Sequence, residues 1–179
     1  MSRFTLFTLL AALLLVGQPP ARAQPTAAAV KAAFLPKFPR YVQWPAGVHP
    51  GPRQLFVLCV IGRDPFGSQL DRAAASEVID GRAVTVRRMA TPDGAAGCHL
   101  AFVRGPSQND TARFLLALRN RPILTVTDDA AGPQRGIIHF TVSAGRVRFF
   151  IDDAEAAERG LSISSRLLAL ALGVRQRRS

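Results

Sequence analysis

The chain has 179 residues, with 23 basic against 12 acidic side chains, a formal net charge of +11 and two cysteines. That length fits one ordinary domain around a single continuous core, and the cysteine spacing excludes a C-x-x-C redox motif. A surface this basic serves nucleic acid, anionic lipid or an acidic partner, or it is simply solvated; since 21 of the 23 basic residues are arginine, a coding bias alone also accounts for it.

Met1 to Ala23 has the three parts of a cleavable secretory signal: Arg3 in a short n-region, an apolar run from Phe4 to Val16, and Ala21-Arg22-Ala23 before Gln24. Gly17, Gln18, Pro19 and Pro20 break the run short of the roughly 18 apolar residues that a membrane span needs. Cleavage after Ala23 is therefore expected. It leaves a mature domain, 24–179, with a charge of about +9, outside the cytoplasm. There nucleic acid is the least favoured of the three partners, and disulfides persist.

From Val30 to Val42 the apolar residues Val30, Phe34, Phe38, Tyr41 and Val42 recur at helical spacing, but Pro36 and Pro39 each remove a donor, which predicts a helix that kinks or restarts. Trp44-Pro45 ends it. Leu55 to Ile61 is apolar on both alternating faces, the pattern of a central parallel strand covered by helices on both sides. Gly62-Arg63-Asp64-Pro65 turns the chain out of that strand. A helix follows over Phe66 to Glu77, then a strand nearer an edge over Ala83 to Arg88, where Val84 and Val86 alternate with Thr85 and Arg87.

His99 to Val103 reads as a third strand, Ser107 to Asn120 as an amphipathic helix with Phe114, Leu115 and Leu118 on one face, and Ile123 to Thr127 as a fourth strand. Ile137 to Val142 and Val147 to Ile151 flank the turn Ser143-Ala144-Gly145-Arg146, which predicts an antiparallel hairpin. Asp152 or Asp153 can cap a short helix ending at Gly160. Ser162 or Ser164 can cap a last helix carrying Leu167, Leu168, Ala171 and Leu172, with Arg175, Arg177 and Arg178 at its C-terminus or in a frayed tail. Helices and strands in alternation predict a three-layer α/β/α sandwich with a mostly parallel central sheet and a C-terminal antiparallel hairpin.

Catalytic motifs are not found. After the first strand the chain offers Gly62 and Gly67 without G-x-G-x-x-G, so at most the helix after Pro65 attracts a small anion. His49, His99 and His139 are scattered singly, without metal-ligand spacing. No G-x-S-x-G elbow exists, and Ser162, Ser164 and Ser165 stand where helix caps are wanted. The pairs Asp128-Asp129 and Asp152-Asp153 lie beside turns or helix starts, and neighbouring carboxylates point apart, which favours capping over acid–base work. No catalytic residue, cofactor or metal is therefore assigned.

The two cysteines, Cys59 late in the first strand and Cys98 just before the third, are either bridged or buried and free. With those strands as parallel neighbours in simple register, the two lie about 10 to 15 Å apart, beyond bridging distance. A bridge needs a shifted register or a bent approach.

Several stretches together resemble the YfiR family of small exported regulators. They are Val30 to Leu35 running to Tyr41-Val42-Gln43-Trp44-Pro45, Leu58 to Phe66, Gly81-Arg82, Cys98 to Val103, Ile123 to Asp128, Val147-Arg148-Phe149, and Gly160 to Leu168. The resemblance spans nearly the whole mature chain. It implies a periplasmic, non-enzymatic regulator that binds the sensor region of an inner-membrane diguanylate cyclase and keeps cyclic di-GMP low, and that an outer-membrane lipoprotein can sequester. It also implies a homodimer and a redox-sensitive disulfide, with Cys59 and Cys98 where a family cysteine pair falls. A second family pair has no counterpart. Pro36, Pro39 and Asp152 depart from the family pattern, which leaves open the shape of the first helix and of any partner surface formed there.

The competing expectation is an exported small-ligand binding or sensor module. Its crevice would be formed by the loops at the carboxyl ends of the strands, around Gly62 to Phe66 and Asp128 to Gly132. A basic protein held at anionic lipid is a third reading, with strongly salt-dependent association.

Overall fold

The structure, a computed structural model, describes residues 24–51 and 54–177. The signal segment read at residues 1–23 and the basic residue Arg178 lie outside the described residues. In chain order the elements are α1 (Ala27–Phe34), β1 (Val42–Gln43), β2 (Phe56–Gly62), α2 (Ser68–Ala75), β3 (Val78–Ile79), β4 (Arg82–Met89), β5 (Leu100–Arg104), α3 (Gln108–Leu118), β6 (Leu124–Asp128), β7 (Ile138–Ser143), β8 (Arg146–Asp152), α4 (Asp153–Glu158), β9 (Ser162–Ile163), α5 (Ser165–Leu168) and β10 (Gly173–Arg175). Single turns of 3-10 helix occur at Pro92–Gly94 and Asp129–Ala131.

Local chemistry sets several of these boundaries. The Thr26 hydroxyl accepts from the Ala29 amide and starts α1. The predicted kink appears as a change of helix type, since Leu35–Tyr41 continues as a 3-10 helix with Pro36 at its start and Pro39 inside. Ser107 and Asp110 form a reciprocal capping box at the start of α3.

The main sheet has the strand order β10-β8-β7-β6-β5-β2-β4-β3. The pairs β2/β4, β2/β5, β5/β6, β6/β7 and β8/β10 are parallel, while β3/β4 and the β7/β8 hairpin are antiparallel. It is an α/β fold with helices on both faces of a mostly parallel sheet, as the alternation predicts, plus a small antiparallel pair of β1 with β9.

Alternate side chains of each strand divide the core in two. Leu58, Val60, Leu100, Phe102, Leu124, Val126, Ile138, Phe140, Phe149 and Ile151 point to one face and join Leu35, Phe38, Leu70, Ala156 and Leu167 from the helices. Phe38 and Phe149 meet edge to face at 5.4 Å, and Phe66 and Phe102 at 4.7 Å. The opposite face is smaller: Cys59, Ile61, Ala101 and Val103 pack under Phe114 and Leu118 of α3 with Ala95, Cys98 and Ile123.

Two expectations need correction. The last helix is one short turn, α5, capped by Ser164, and the chain then returns to the sheet as β10. Arg175 and Arg177 therefore belong to neither a helix C-terminus nor a frayed tail: they bind Asp152 and Asp153, each at 2.7 Å. The leucine spacing after Leu167 misled because β10 lies against β8, more than 20 residues back in sequence, where local periodicity carries no signal. The pairs β3/β4 and β1/β9 have no signal in the sequence, because the two residues of β1, β3 and β9 are too short for a period to show.

Candidate functional site

The disulfide is built by β2, β4 and the segment that leads into β5. β2 brings Cys59 into the sheet beside Ala101 of β5 and Arg87 of β4. Simple register would leave Cys98 too far along the chain, but the segment does not approach β5 straight. Pro92–Gly94 makes a 3-10 turn, the Cys98 amide donates to the Ala95 carbonyl, and Gly97 takes a positive φ of 77° that suits glycine. The bent approach folds Cys98 back over the sheet, and its Cα comes within 5.9 Å of the Cys59 Cα, where the structure joins the two sulfurs.

Arg87, not singled out from sequence, holds this bend. Its guanidinium donates to the carbonyls of Gly94 (3.2 Å) and Ala96 (2.6 Å) and contacts the sulfurs of Cys98 (3.3 Å) and Cys59 (3.8 Å). A cation alternating with valines in a strand carried a signal of its own, since same-face parity with Cys59 follows once β2 and β4 are paired. Arg88, one residue on, points to the opposite side and is fully engaged: it binds Asp64 at 2.7 Å, both oxygens of Asp71 and the Gly67 carbonyl. Those carboxylates raise the Arg88 pKa further above its ordinary value.

The loop Gly62–Gly67 is closed by its own side chains. Gly62 has a φ of 87°, and a Cβ there would stand 2.2 Å from the Arg104 carbonyl oxygen. The amides of Phe66 and Gly67, which a small anion at α2 would need, donate instead to the Asp64 carboxylate at 2.7 and 3.2 Å. Burial acts to raise the Asp64 pKa, but the bonds from Arg88 and these amides outweigh it and hold the carboxyl below its usual range. At the other predicted wall of the crevice, Asp128 turns into the larger core and binds Lys31 of α1 at 2.7 Å.

The aspartate pairs do point apart. Asp128 faces α1, whereas Asp129 binds the His139 ring at 3.1 Å on the other side of the sheet. Asp152 caps α4 by accepting from the Glu155 amide, and Asp153, itself buried, pairs with Arg177. Asp128 is thus an ion-pair partner rather than a cap, and its second oxygen lacks a hydrogen-bond partner among the described residues.

The three histidines remain separate. His49 reaches Asp80 at 3.2 Å. The His99 Nδ1 accepts from the Val57 amide, and its ring packs on Phe56 at 4.7 Å. His139 is hydrogen-bonded to the Thr127 hydroxyl at 2.8 Å as well as to Asp129. Burial lowers the pKa of both His99 and His139, so each is neutral in the fold near pH 7. Among the described residues no cluster of three or more His, Cys, Asp or Glu could hold a metal ion, and no helix is long and apolar enough to cross a membrane.

Chemically, then, the site is a disulfide braced by an arginine. Residues 28–172 match the sequence model of the YfiR/HmsC-like family. No curated protein matches the chain.

Proposed function

Because the chain belongs to the YfiR/HmsC-like family, we propose that it is a non-enzymatic periplasmic regulator. It binds the periplasmic sensor region of an inner-membrane diguanylate cyclase and represses it, so that cyclic di-GMP stays low. The family match over residues 28–172 is the observation that carries this reading. The secretory signal read at Met1 to Ala23 supports it by delivering the domain 24–179 to the compartment that such a sensor faces.

Control then works by population shift: the bound regulator stabilises the inactive state of the cyclase, and whatever changes the supply of competent regulator changes the output. An outer-membrane lipoprotein that sequesters the chain, and assembly as a homodimer, complete the proposal. The basic balance of the mature domain favours an acidic partner surface and raises the rate of encounter at low salt.

The small-ligand alternative has less support. Asp64 and Arg88 fill the Gly62 to Phe66 side of its crevice, and Lys31 binds Asp128 on the other.

Deleting the gene and measuring cellular cyclic di-GMP tests the regulatory reading. A rise is expected; an unchanged level removes its support.

A further inference from the structure

We propose that Cys98 is the reactive half of the disulfide and that Arg87 makes it so, holding the Cys98 sulfur as a thiolate in the reduced protein. In the reduced protein a small external disulfide therefore forms its mixed disulfide at Cys98 and not at Cys59. This inference rests on local geometry and stands apart from the regulatory reading.

The two sulfurs occupy unlike surroundings. Cys59 lies in the middle of β2 with no exposed surface. Cys98 lies on the bend and borders a cavity of about 330 Å³ that Ala96, Gly97, Arg121 and Ile123 also line. Cys98 is itself 4% exposed, so a small disulfide or alkylating reagent that enters this cavity reaches it before the fully buried Cys59.

Arg87 adds the electrostatic asymmetry, because its guanidinium is nearer Cys98 (3.3 Å) than Cys59 (3.8 Å). Its other contacts here are the carbonyls of Gly94 and Ala96, and among the described residues no carboxylate pairs with it. Arg88 beside it is neutralised by Asp64 and Asp71. Of the other charged groups here, Asp93 on the bend accepts from the Thr91 hydroxyl at 2.7 Å, Arg121 across the cavity is also a cation, and His99 is neutral and packs against Trp44 and Phe56. A cation in hydrogen-bond contact favours thiolate over thiol, whereas apolar burial at Cys59 favours the thiol. The bonds to Gly94 and Ala96 do not involve the S–S bond, so they hold the bend when the disulfide opens.

The Cys98 thiolate attacks one sulfur of a small external disulfide; that S–S bond breaks, and its electron pair leaves on the other external sulfur as a thiolate. Cys59 then loses its proton to solvent and attacks the Cys98 Sγ of the mixed disulfide, closing the Cys59–Cys98 bond and releasing the second external thiolate. The protein dithiol is oxidised and the external disulfide is reduced to two thiols, which take up the two protons that the cysteines gave up.

The test uses the mature protein purified from the periplasm, reduced with a phosphine and alkylated with iodoacetamide across a pH series. Each site is quantified by mass spectrometry in wild type, Arg87→Gln and Arg87→Lys. In wild type the Cys98 rate should reach its half-maximum well below the roughly pH 8.5 of a free thiol. At about pH 7 Arg87→Gln should slow Cys98 at least about tenfold and move its profile to higher pH, whereas Arg87→Lys, which keeps the charge, should retain the wild-type profile. A wild-type half-maximum at or above that of a free thiol overturns the proposal and needs no variant. So does an unmoved profile in Arg87→Gln, or an equal change in both variants, which would make Arg87 a brace alone.

Discussion

The two faces of the central sheet are held in different ways. On the larger face aliphatic and aromatic side chains from α1, α2, α4 and α5 meet the sheet in one continuous cluster, so its stability comes from removing apolar surface from water. On the smaller face α3 covers part of the sheet, and the remainder depends on a covalent crosslink, an arginine bonded to carbonyls, and the Thr127–His139–Asp129 chain. One face therefore answers to side-chain volume, and the other to redox conditions.

That contrast can be broken by substitution. The largest effect is expected on the first face, where Phe102 has no exposed surface and Phe102→Ala should cost about 4 kcal/mol in denaturant unfolding, with or without reductant. A loss below about 1 kcal/mol would show that the larger cluster is loosely packed.

Opening the disulfide, which spans 39 residues of chain, should cost about 3 kcal/mol, by reductant or by Cys59→Ser with Cys98→Ser. Equal unfolding midpoints for the oxidised and reduced protein would contradict the division between the faces. Lys31→Met should cost about 2 kcal/mol, because it leaves the Asp128 carboxylate buried without its cation; Lys31→Met with Asp128→Leu should recover part of that loss.

A smaller effect follows from His99 and His139, whose pKa values burial holds below 6.5. The fold prefers their neutral forms, so their contribution is full above that value and is lost as pH falls through the lower folded values. Thermal midpoints measured between about pH 7.5 and pH 5.5 should therefore fall toward acid; a flat series would show that these rings ionise as freely in the fold as out of it. The smallest effect is Arg175→Ala, a surface pair with Asp152, at under about 1 kcal/mol.

Much of this division was legible in the sequence, for reasons that can be named. β2 is apolar on both alternating faces, so its central place in a parallel sheet followed, and the turn Ser143 to Arg146 announced the hairpin. Ser107 marked the start of α3. What stayed hidden depends on contacts between distant residues. Lys31 and Asp128 are 97 residues apart, β10 finds β8 by tertiary pairing, and the bend that carries Cys98 to Cys59 is fixed by Arg87 from another strand. The cysteines themselves were visible, but strand register alone argued against their bridge. Only the bent approach resolves that conflict.

The proposed regulatory role and the export signal read at Met1 to Ala23 can be tested together in cells. In a strain lacking the gene, cyclic di-GMP should rise; the full chain should restore the low level, and a version without residues 1–23, retained in the cytoplasm, should not. Restoration by the cytoplasmic version, or no rise on deletion, would contradict repression of a cyclase from the periplasm.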